Sequence, residues 1–174
     1  MQHRRFTPVL LALALLALFS TAARAQSRLD GSWTRNRQQS DNVNAAIDAA
    51  IKPMNFLVRA VARGRLRTAN VAYERLVITS TEDTVNVTYH ERAPVITPAN
   101  GTVVKWWRED GQDFDVSTEW ENGRLIQTFR APDGRRVNVY SVSADGRTLT
   151  MDVTLTSPRL SAPLRYKLVF DRAS

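Results

Sequence analysis

The sequence contains no cysteine, and a single histidine, His90, lies beyond its N-terminal leader. Disulfide bonds are therefore excluded, and packing of the core has to stabilise the fold. Zinc sites usually recruit several histidine or cysteine ligands, so no metal site is expected. A catalytic triad would have to use His90, which is out of phase with the apolar residues of its strand and is expected to face solvent. The sequence also lacks a glycine-rich phosphate loop and a dinucleotide fingerprint, so we predict a protein that is not an enzyme and needs no cofactor.

The chain has one long apolar run, and this run lies at the N-terminus. Two arginines precede an apolar stretch over residues 8–19, and a small-x-small triplet follows at residues 23–25. This arrangement is typical of a cleaved secretory signal peptide, and the apolar run is too short to span a bilayer comfortably. We predict that residues 1–25 are removed by cleavage after Ala25. The remaining residues, 26–174, are expected to form one periplasmic or secreted domain without an integral membrane segment.

The excess of basic charge is modest once the leader is removed. The whole chain carries 24 basic and 17 acidic residues, a net charge of +7. Three of the arginines belong to the leader, so the remaining chain carries 21 basic residues and a net charge of +4. Nucleic-acid-binding proteins need a dense basic stripe interleaved with aromatic residues. The one basic cluster here, Arg59, Arg63, Arg65 and Arg67, is interpreted as the solvated end of a helix, and no nucleic-acid partner is expected.

Turn signals recur at nearly constant spacing in the second half of the chain. Asn-Gly or Asp-Gly pairs begin at residues 110, 122, 133 and 145. These pairs accept the positive φ angles of tight hairpin turns, and the runs between them alternate between apolar and polar residues. Less regular strands precede them, so we count nine strands, or ten if residues 65–69 also pair. A mostly β, antiparallel sheet of this length with one apolar face is expected to close into an up-and-down β-barrel, which removes its exposed edges.

Residues 42–62 break the period-two pattern. Their apolar positions recur at spacings of three and four, which predicts a helical stripe packed against the barrel. Asp41 is expected to cap its start and Gly64 to end it. Pro53 predicts either a kink or two short helices, the second with Pro53 in its first turn. The segment lies between the first and second strands and is expected to form a lid.

Two stretches of the chain carry a resemblance to a known superfamily. They are Gly31-Ser32-Trp33 on the first strand and the final pair of strands in "DGRTLTMDVTLTSPRLSAPLRYKLVFDR". Together with the meander, they make the chain similar to the lipocalin and fatty-acid-binding (calycin) superfamily, and more narrowly to lipocalin-like domains of secreted bacterial proteins. The resemblance implies that Trp33 closes the barrel floor under a basic side chain, Arg172 or, as the weaker choice, Arg165. It also implies a helical lid like that of fatty-acid-binding proteins.

The inward-facing side chains of such a barrel predict a small-molecule pocket. A barrel of this size leaves room for a ligand, and apolar walls with a few polar groups are typical of such pockets. Trp106 and Trp107 are adjacent, so one of them faces inward. The predicted ligand-binding residues are Trp107, Phe114, Thr118, Trp120, Gln127, Phe129, Met151 and Tyr166.

These observations leave two functions open. The first is an exported, monomeric binding protein that holds a small hydrophobic or amphipathic, lipid-like molecule inside the barrel, with residues 42–62 as its lid. The second is an envelope interaction or scaffolding module, with a filled core and a working surface on the basic helix. The alternation pattern is compatible with a hollow interior and with a filled one.

Overall fold

The computed structural model describes residues 28–90 and 92–173; the signal peptide predicted over residues 1–25 lies outside them. This part of the chain contains ten main strands and, between β1 and β2, two main helices. The helices are α1 (Val43–Ile51) and α2 (Phe56–Ala69). The strands are β1 (Gly31–Arg35), β2 (Arg75–Ser80), β3 (Thr84–Tyr89), β4 (Val95–Pro98), β5 (Val104–Trp107), β6 (Asp113–Glu121), β7 (Arg124–Ala131), β8 (Gly134–Val142), β9 (Thr148–Thr156) and β10 (Leu164–Arg172).

The strands form a nearly closed antiparallel barrel. Their order is β4-β3-β2-β1-β10-β9-β8-β7-β6-β5, so β4 and β5 lie at the two ends. The β4–β5 connection closes the barrel against β6, because Asn100 bridges Glu119 and the Gly101 N–H donates to the Thr118 carbonyl at 2.9 Å. The predicted antiparallel barrel with a helical insert is therefore confirmed. Its tenth strand is β4, since residues 65–69 belong to α2 and do not pair.

The regular turns have the predicted backbone geometry at most positions. Asn122 and Gly123 both have positive φ, 50° and 74°, which is the geometry that suits a two-residue hairpin turn. At the next hairpin Ala131 pairs with Gly134, so Pro132 and Asp133 form the turn. Gly134 is required there for close approach, because a Cβ at this position would lie 2.9 Å from the Thr156 carbonyl oxygen.

The helical segment consists of two helices whose ends differ from the prediction. Asn42, not Asp41, caps α1, because its side chain accepts from the Ala45 N–H at 3.1 Å. The Asp41 carboxylate instead accepts from the Lys167 N–H at 2.7 Å. Pro53 lies in the connection between the helices, and Gly64 lies inside α2 rather than ending it. Neither helix is long and apolar enough to cross a membrane.

The predicted apolar stripe is buried in α1 but not in α2. Val43, Ile47 and Ile51 are buried in the core. No side chain of α2 is buried, and Phe56 and Leu57 are 74% and 68% exposed. The connection at Pro53 ends the first helical run and changes the direction of the second, so one continuous stripe cannot face the barrel. Helix α2 contacts the core only through part-buried side chains such as Leu66.

The barrel floor has the arrangement implied by the Gly-Ser-Trp motif. Trp33 is 1% exposed, and its indole N–H donates to the Leu29 carbonyl at 3.0 Å. The guanidinium carbon of Arg172 lies 4.2 Å from the Trp33 ring centroid, whereas Arg165 is exposed. Arg172, not Arg165, is thus the basic partner. The floor closes the end of the barrel beside the β8–β9 turn. A site would therefore have to open at the opposite end.

Candidate functional site

A cavity of about 630 Å³ opens at the end of the barrel opposite the floor. It lies below the C-terminal half of α2 and reaches the inward faces of β3 to β9. Its lining includes Gly64, Leu66 and Ala69 from the helix, Tyr73 from the following loop, and Tyr89, Val95, Trp106, Phe114, Phe129, Arg136, Asn138 and Leu155 from the sheet. The volume falls in the range of small-molecule sites.

An aromatic cluster forms one wall of this cavity. The ring centroids of Trp106 and Phe114 are 5.8 Å apart, and that of Phe129 lies 5.9 Å from Trp106 and 6.2 Å from Phe114. The Trp106 indole N–H donates to the Pro94 carbonyl at 3.1 Å, which fixes the ring beside the gap between β4 and β5. This wall offers apolar surface to a ligand.

Arg136 on β8 faces the cavity from the other side, and four more arginines, Arg65, Arg92, Arg108 and Arg135, also contribute to its lining. Arg136 Nε donates to Asn138 Oδ1 at 2.8 Å, and Nη1 donates to the Ala69 carbonyl at 3.0 Å. Within the described part of the chain Arg136 forms no ion pair, and its guanidinium also interacts with the Tyr166 hydroxyl. A half-buried cation without a counter-ion favours an anionic ligand group, because such a group would offset the cost of removing the guanidinium from water.

Below Arg136, five buried polar side chains lie within hydrogen-bonding distance of one another. Asn138 Nδ2 donates to the hydroxyls of Tyr89 and Tyr140 at 3.0 and 3.2 Å. Both hydroxyls donate to Gln127 Oε1, at 3.1 and 3.2 Å, and they also contact each other closely. Gln127 Nε2 lies 3.5 Å from Thr118 Oγ1. These groups form a polar base to the cavity. Because they already bond to one another, few of their donors and acceptors remain for a ligand.

Burial raises the pKa values of both tyrosines in this base. The pKa of Tyr140 is raised to about 12, and that of Tyr89 lies well above its ordinary value of 10, because the charged phenolate would lose its hydration in the core. The neutral forms are therefore held in the folded protein well into alkaline solution.

These shifts predict a loss of stability in alkaline solution. Tyrosines of the unfolded chain lose their protons near pH 10, before Tyr140 does in the folded protein, so the unfolded state binds fewer protons there and the free energy of unfolding falls as pH rises. One pKa unit corresponds to about 1.4 kcal/mol, so Tyr140 alone should remove about 2–3 kcal/mol between about pH 10 and 12.

Urea unfolding at several pH values measures the slope of the free energy of unfolding against pH. Tyr140→Phe should flatten it, and tyrosinate absorbance from all tyrosines near pH 10 without unfolding would contradict the assignment.

The structure brings together only some of the predicted ligand-binding residues. Phe114 and Phe129 line the cavity. Thr118 and Gln127 belong to its polar base, and Met151 is packed in the core beneath. Trp120 is part-buried and packs against the core away from the cavity lining, and the Tyr166 hydroxyl donates to Asn70 Oδ1 at 3.1 Å.

Trp107 is not at the cavity. It is 60% exposed on the outer face of the barrel, and the neighbouring Trp106 is the one that faces inward. Sequence reasoning also missed Arg136, Asn138 and Tyr89. The pattern that could have identified them lies on β8. Arg136, Asn138 and Tyr140 share one face of this strand, and Arg136 lies opposite Phe129 of β7.

Comparison with known proteins supports the fold assignment. No protein family and no curated protein matches the sequence. The structure resembles the REP1-NXSQ fatty acid transporter (TM-score 0.56, 12% identity, covering 85% of this chain and 98% of that one). It also resembles human cRBP IV (TM-score 0.53, 18% identity, 83% and 98% covered) and the Schistosoma mansoni fatty acid binding protein in complex with arachidonic acid (TM-score 0.53, 19% identity, 86% and 99% covered).

These likenesses show the fold of the chain. The chain has the fold of the lipocalin and fatty-acid-binding superfamily, as the Gly-Ser-Trp motif and the meander predict. The narrower similarity to bacterial lipocalin-like domains stays a prediction. At identities this low the comparison establishes architecture, and the chemistry of the site has to be argued from its own side chains.

Proposed function

We propose that the protein binds a small amphipathic molecule with an apolar body and an acidic head. The observation that carries this proposal is Arg136, a cation without an ion-pair partner among the described residues, in a cavity with an aromatic wall. The body would lie against Trp106, Phe114 and Phe129, and the head would accept from the Arg136 guanidinium. Names of structural neighbours, which include a fatty acid transporter and a fatty acid binding protein with arachidonic acid, support the same class of ligand.

Binding of this kind needs no covalent step. Each methylene group transferred from water into the cavity contributes about 0.8 kcal/mol, and a charge-assisted hydrogen bond to the head fixes its orientation. The polar base is already hydrogen-bonded within itself, so it would limit how deeply the ligand enters. Affinity would then come from the apolar body and specificity from the acidic head.

The alternative, a scaffolding module with a filled core, has less support. A cavity of about 630 Å³ is hard to reconcile with a solid interior. An enzymatic role has less support still, since His90 is exposed and does not line the cavity. In the described part of the chain, no three histidine, aspartate or glutamate side chains are grouped to hold a metal ion.

Extraction of the native protein tests the proposed function. The protein is purified from its native compartment and extracted with organic solvent, and mass spectrometry should recover an acidic lipid in stoichiometric amount. The delipidated protein should then bind dodecanoate, as measured by displacement of a fluorescent fatty acid analogue. Failure to bind dodecanoate, together with an extract free of any lipid-like compound, would refute the proposal.

We also propose that the protein is exported and acts as a monomer without a nucleic-acid partner. The support is the signal-like leader and the modest charge of the remaining chain. Intact mass measurement of the protein from cells should show a chain that begins at Gln26. An uncleaved chain retained in the cytoplasm would contradict export.

A further inference from the structure

The C-terminal end of α2 is anchored inside the barrel by the proposed ligand-binding cation. The carbonyl of Ala69, the last residue of α2, accepts from Arg136 Nη1 at 3.0 Å. Asn70, which follows it, is 3% exposed; its Oδ1 accepts from the Tyr166 hydroxyl at 3.1 Å and lies 3.5 Å from Arg136 Nη1. We call these contacts of Ala69 and Asn70 the latch. They join the lid helix to β8 and β10.

Elsewhere α2 is held by weaker contacts. Its side chains are not buried. The ion pair between Arg63 and Asp48 of α1 is 2.7 Å long, but both side chains are more than a third exposed, and exposed ion pairs contribute little because water and salt screen them. Arg59 donates to the carbonyls of Lys52 and Met54 in the connection. The latch is therefore the main buried attachment of α2.

The latch and an acidic ligand compete for the same guanidinium. The last carbonyl groups of a helix lack partners within the helix and carry partial negative charge, which a nearby cation stabilises. Arg136 supplies that cation to the end of α2. An anionic head bound to Arg136 would draw the guanidinium away from the Ala69 carbonyl and would place negative charge next to the negative end of the helix. The two acceptors are thus electrostatically opposed.

We propose that an acidic ligand releases the latch, so that occupation of Arg136 loosens the C-terminal turn of α2. The proposal rests on the proposed function, since it requires an acidic head at Arg136. Because coupling between two binding events is reciprocal, loosening the latch should also strengthen binding of the head. Asn70 is then a positioning residue that sets acid affinity without lining the cavity.

Hydrogen exchange measures the latch directly. The delipidated mature protein is compared alone, with saturating dodecanoate and with saturating dodecanol, which has the same apolar body and no charge. Dodecanoate should accelerate amide exchange over residues 66–70 by about fivefold or more, the lower end of typical coupling between sites. Dodecanol should leave this segment unchanged. Arg130→Gln, an exposed arginine on β7, should keep the full response, and Arg136→Gln at saturating dodecanoate should abolish it.

A second variant tests reciprocity while keeping the cation itself in place. Tyr166→Phe removes the hydroxyl that holds Asn70 and should tighten dodecanoate binding several-fold while dodecanol binding stays the same. If dodecanoate binds but exchange over residues 66–70 slows or does not change, the latch proposal is wrong and the proposed function stands. If dodecanoate does not bind at all, both proposals are wrong.

Discussion

Replacing Arg136 by glutamine should weaken dodecanoate binding by about 10- to 150-fold and leave dodecanol binding nearly unchanged. Hydrogen bonds to charged groups contribute about 1.5–3 kcal/mol, and each 1.4 kcal/mol corresponds to a tenfold change in affinity. Glutamine keeps a polar, hydrogen-bonding side chain, although a shorter one, and carries no charge. Titration calorimetry or probe displacement with both ligands gives the two affinities.

The matched control for this variant is Arg130→Gln. Arg130 lies on β7, opposite Arg135 of β8, but its side chain is exposed on the outside of the barrel. Its replacement removes the same net charge and should leave both affinities unchanged. If Arg136→Gln weakens dodecanol binding as strongly as dodecanoate binding, the variant has altered the shape of the cavity, and Arg136 does not recognise an acidic head.

The barrel could be predicted from the sequence because its strands follow simple rules. Alternating apolar residues and Asn-Gly or Asp-Gly turns identify β6 to β10, where the antiparallel pairings are long and regular. Strand β4 was missed, since it has four residues and ends at Pro98. The burial of α2 was also predicted wrongly. Helical periodicity identifies an apolar face, but the turn at Pro53 decides whether that face meets the barrel.

The candidate site was harder to predict because its strand inverts the usual pattern. On β8 the apolar residues Val137 and Val139 are only part-buried, whereas Asn138 and Tyr140 are buried. Arg136 shares their face. Alternation rules assume that the interior is apolar, so a strand that contributes a polar wall to a cavity is assigned to the wrong face. The cation in this wall becomes recognisable only when β7 and β8 are paired and Phe129 lies beside it.

Trp106 and Trp107 show a related limit. Two adjacent aromatic residues on a strand cannot both face inward, and a single strand does not reveal which one does. The register with β6 decides, because Trp106 pairs with Phe114 and Trp107 pairs with Asp113. The inward tryptophan then completes the aromatic wall. The choice between Trp106 and Trp107 therefore depends on strand pairing, which the sequence of one strand does not show.

Replacing Trp33 by alanine should destabilise the protein by about 3–5 kcal/mol, which is typical for removing a large buried aromatic side chain. The loss includes packing in the core, the hydrogen bond from the indole to the Leu29 carbonyl and the stacking of Arg172 on the ring. Arg172 also donates to the carbonyls of Asp30 and Gly146. By supporting Arg172, the ring helps to join the end of β10 to the residue before β1 and to the β8–β9 turn. Urea unfolding measures the change.

Trp107→Ala provides the matched control, because Trp107 is 60% exposed and exposed substitutions usually change stability by no more than about 0.5 kcal/mol. Equal losses for the two variants would show that the floor is not a packed closure.

Small domains have only about 5–15 kcal/mol of stability, so Trp33→Ala should approach the limit of folding. Under conditions where it remains folded, it should still bind dodecanoate with unchanged affinity, since the floor and the cavity lie at opposite ends of β9. Stability and ligand recognition would then depend on two different arginines, Arg172 at the floor and Arg136 at the cavity.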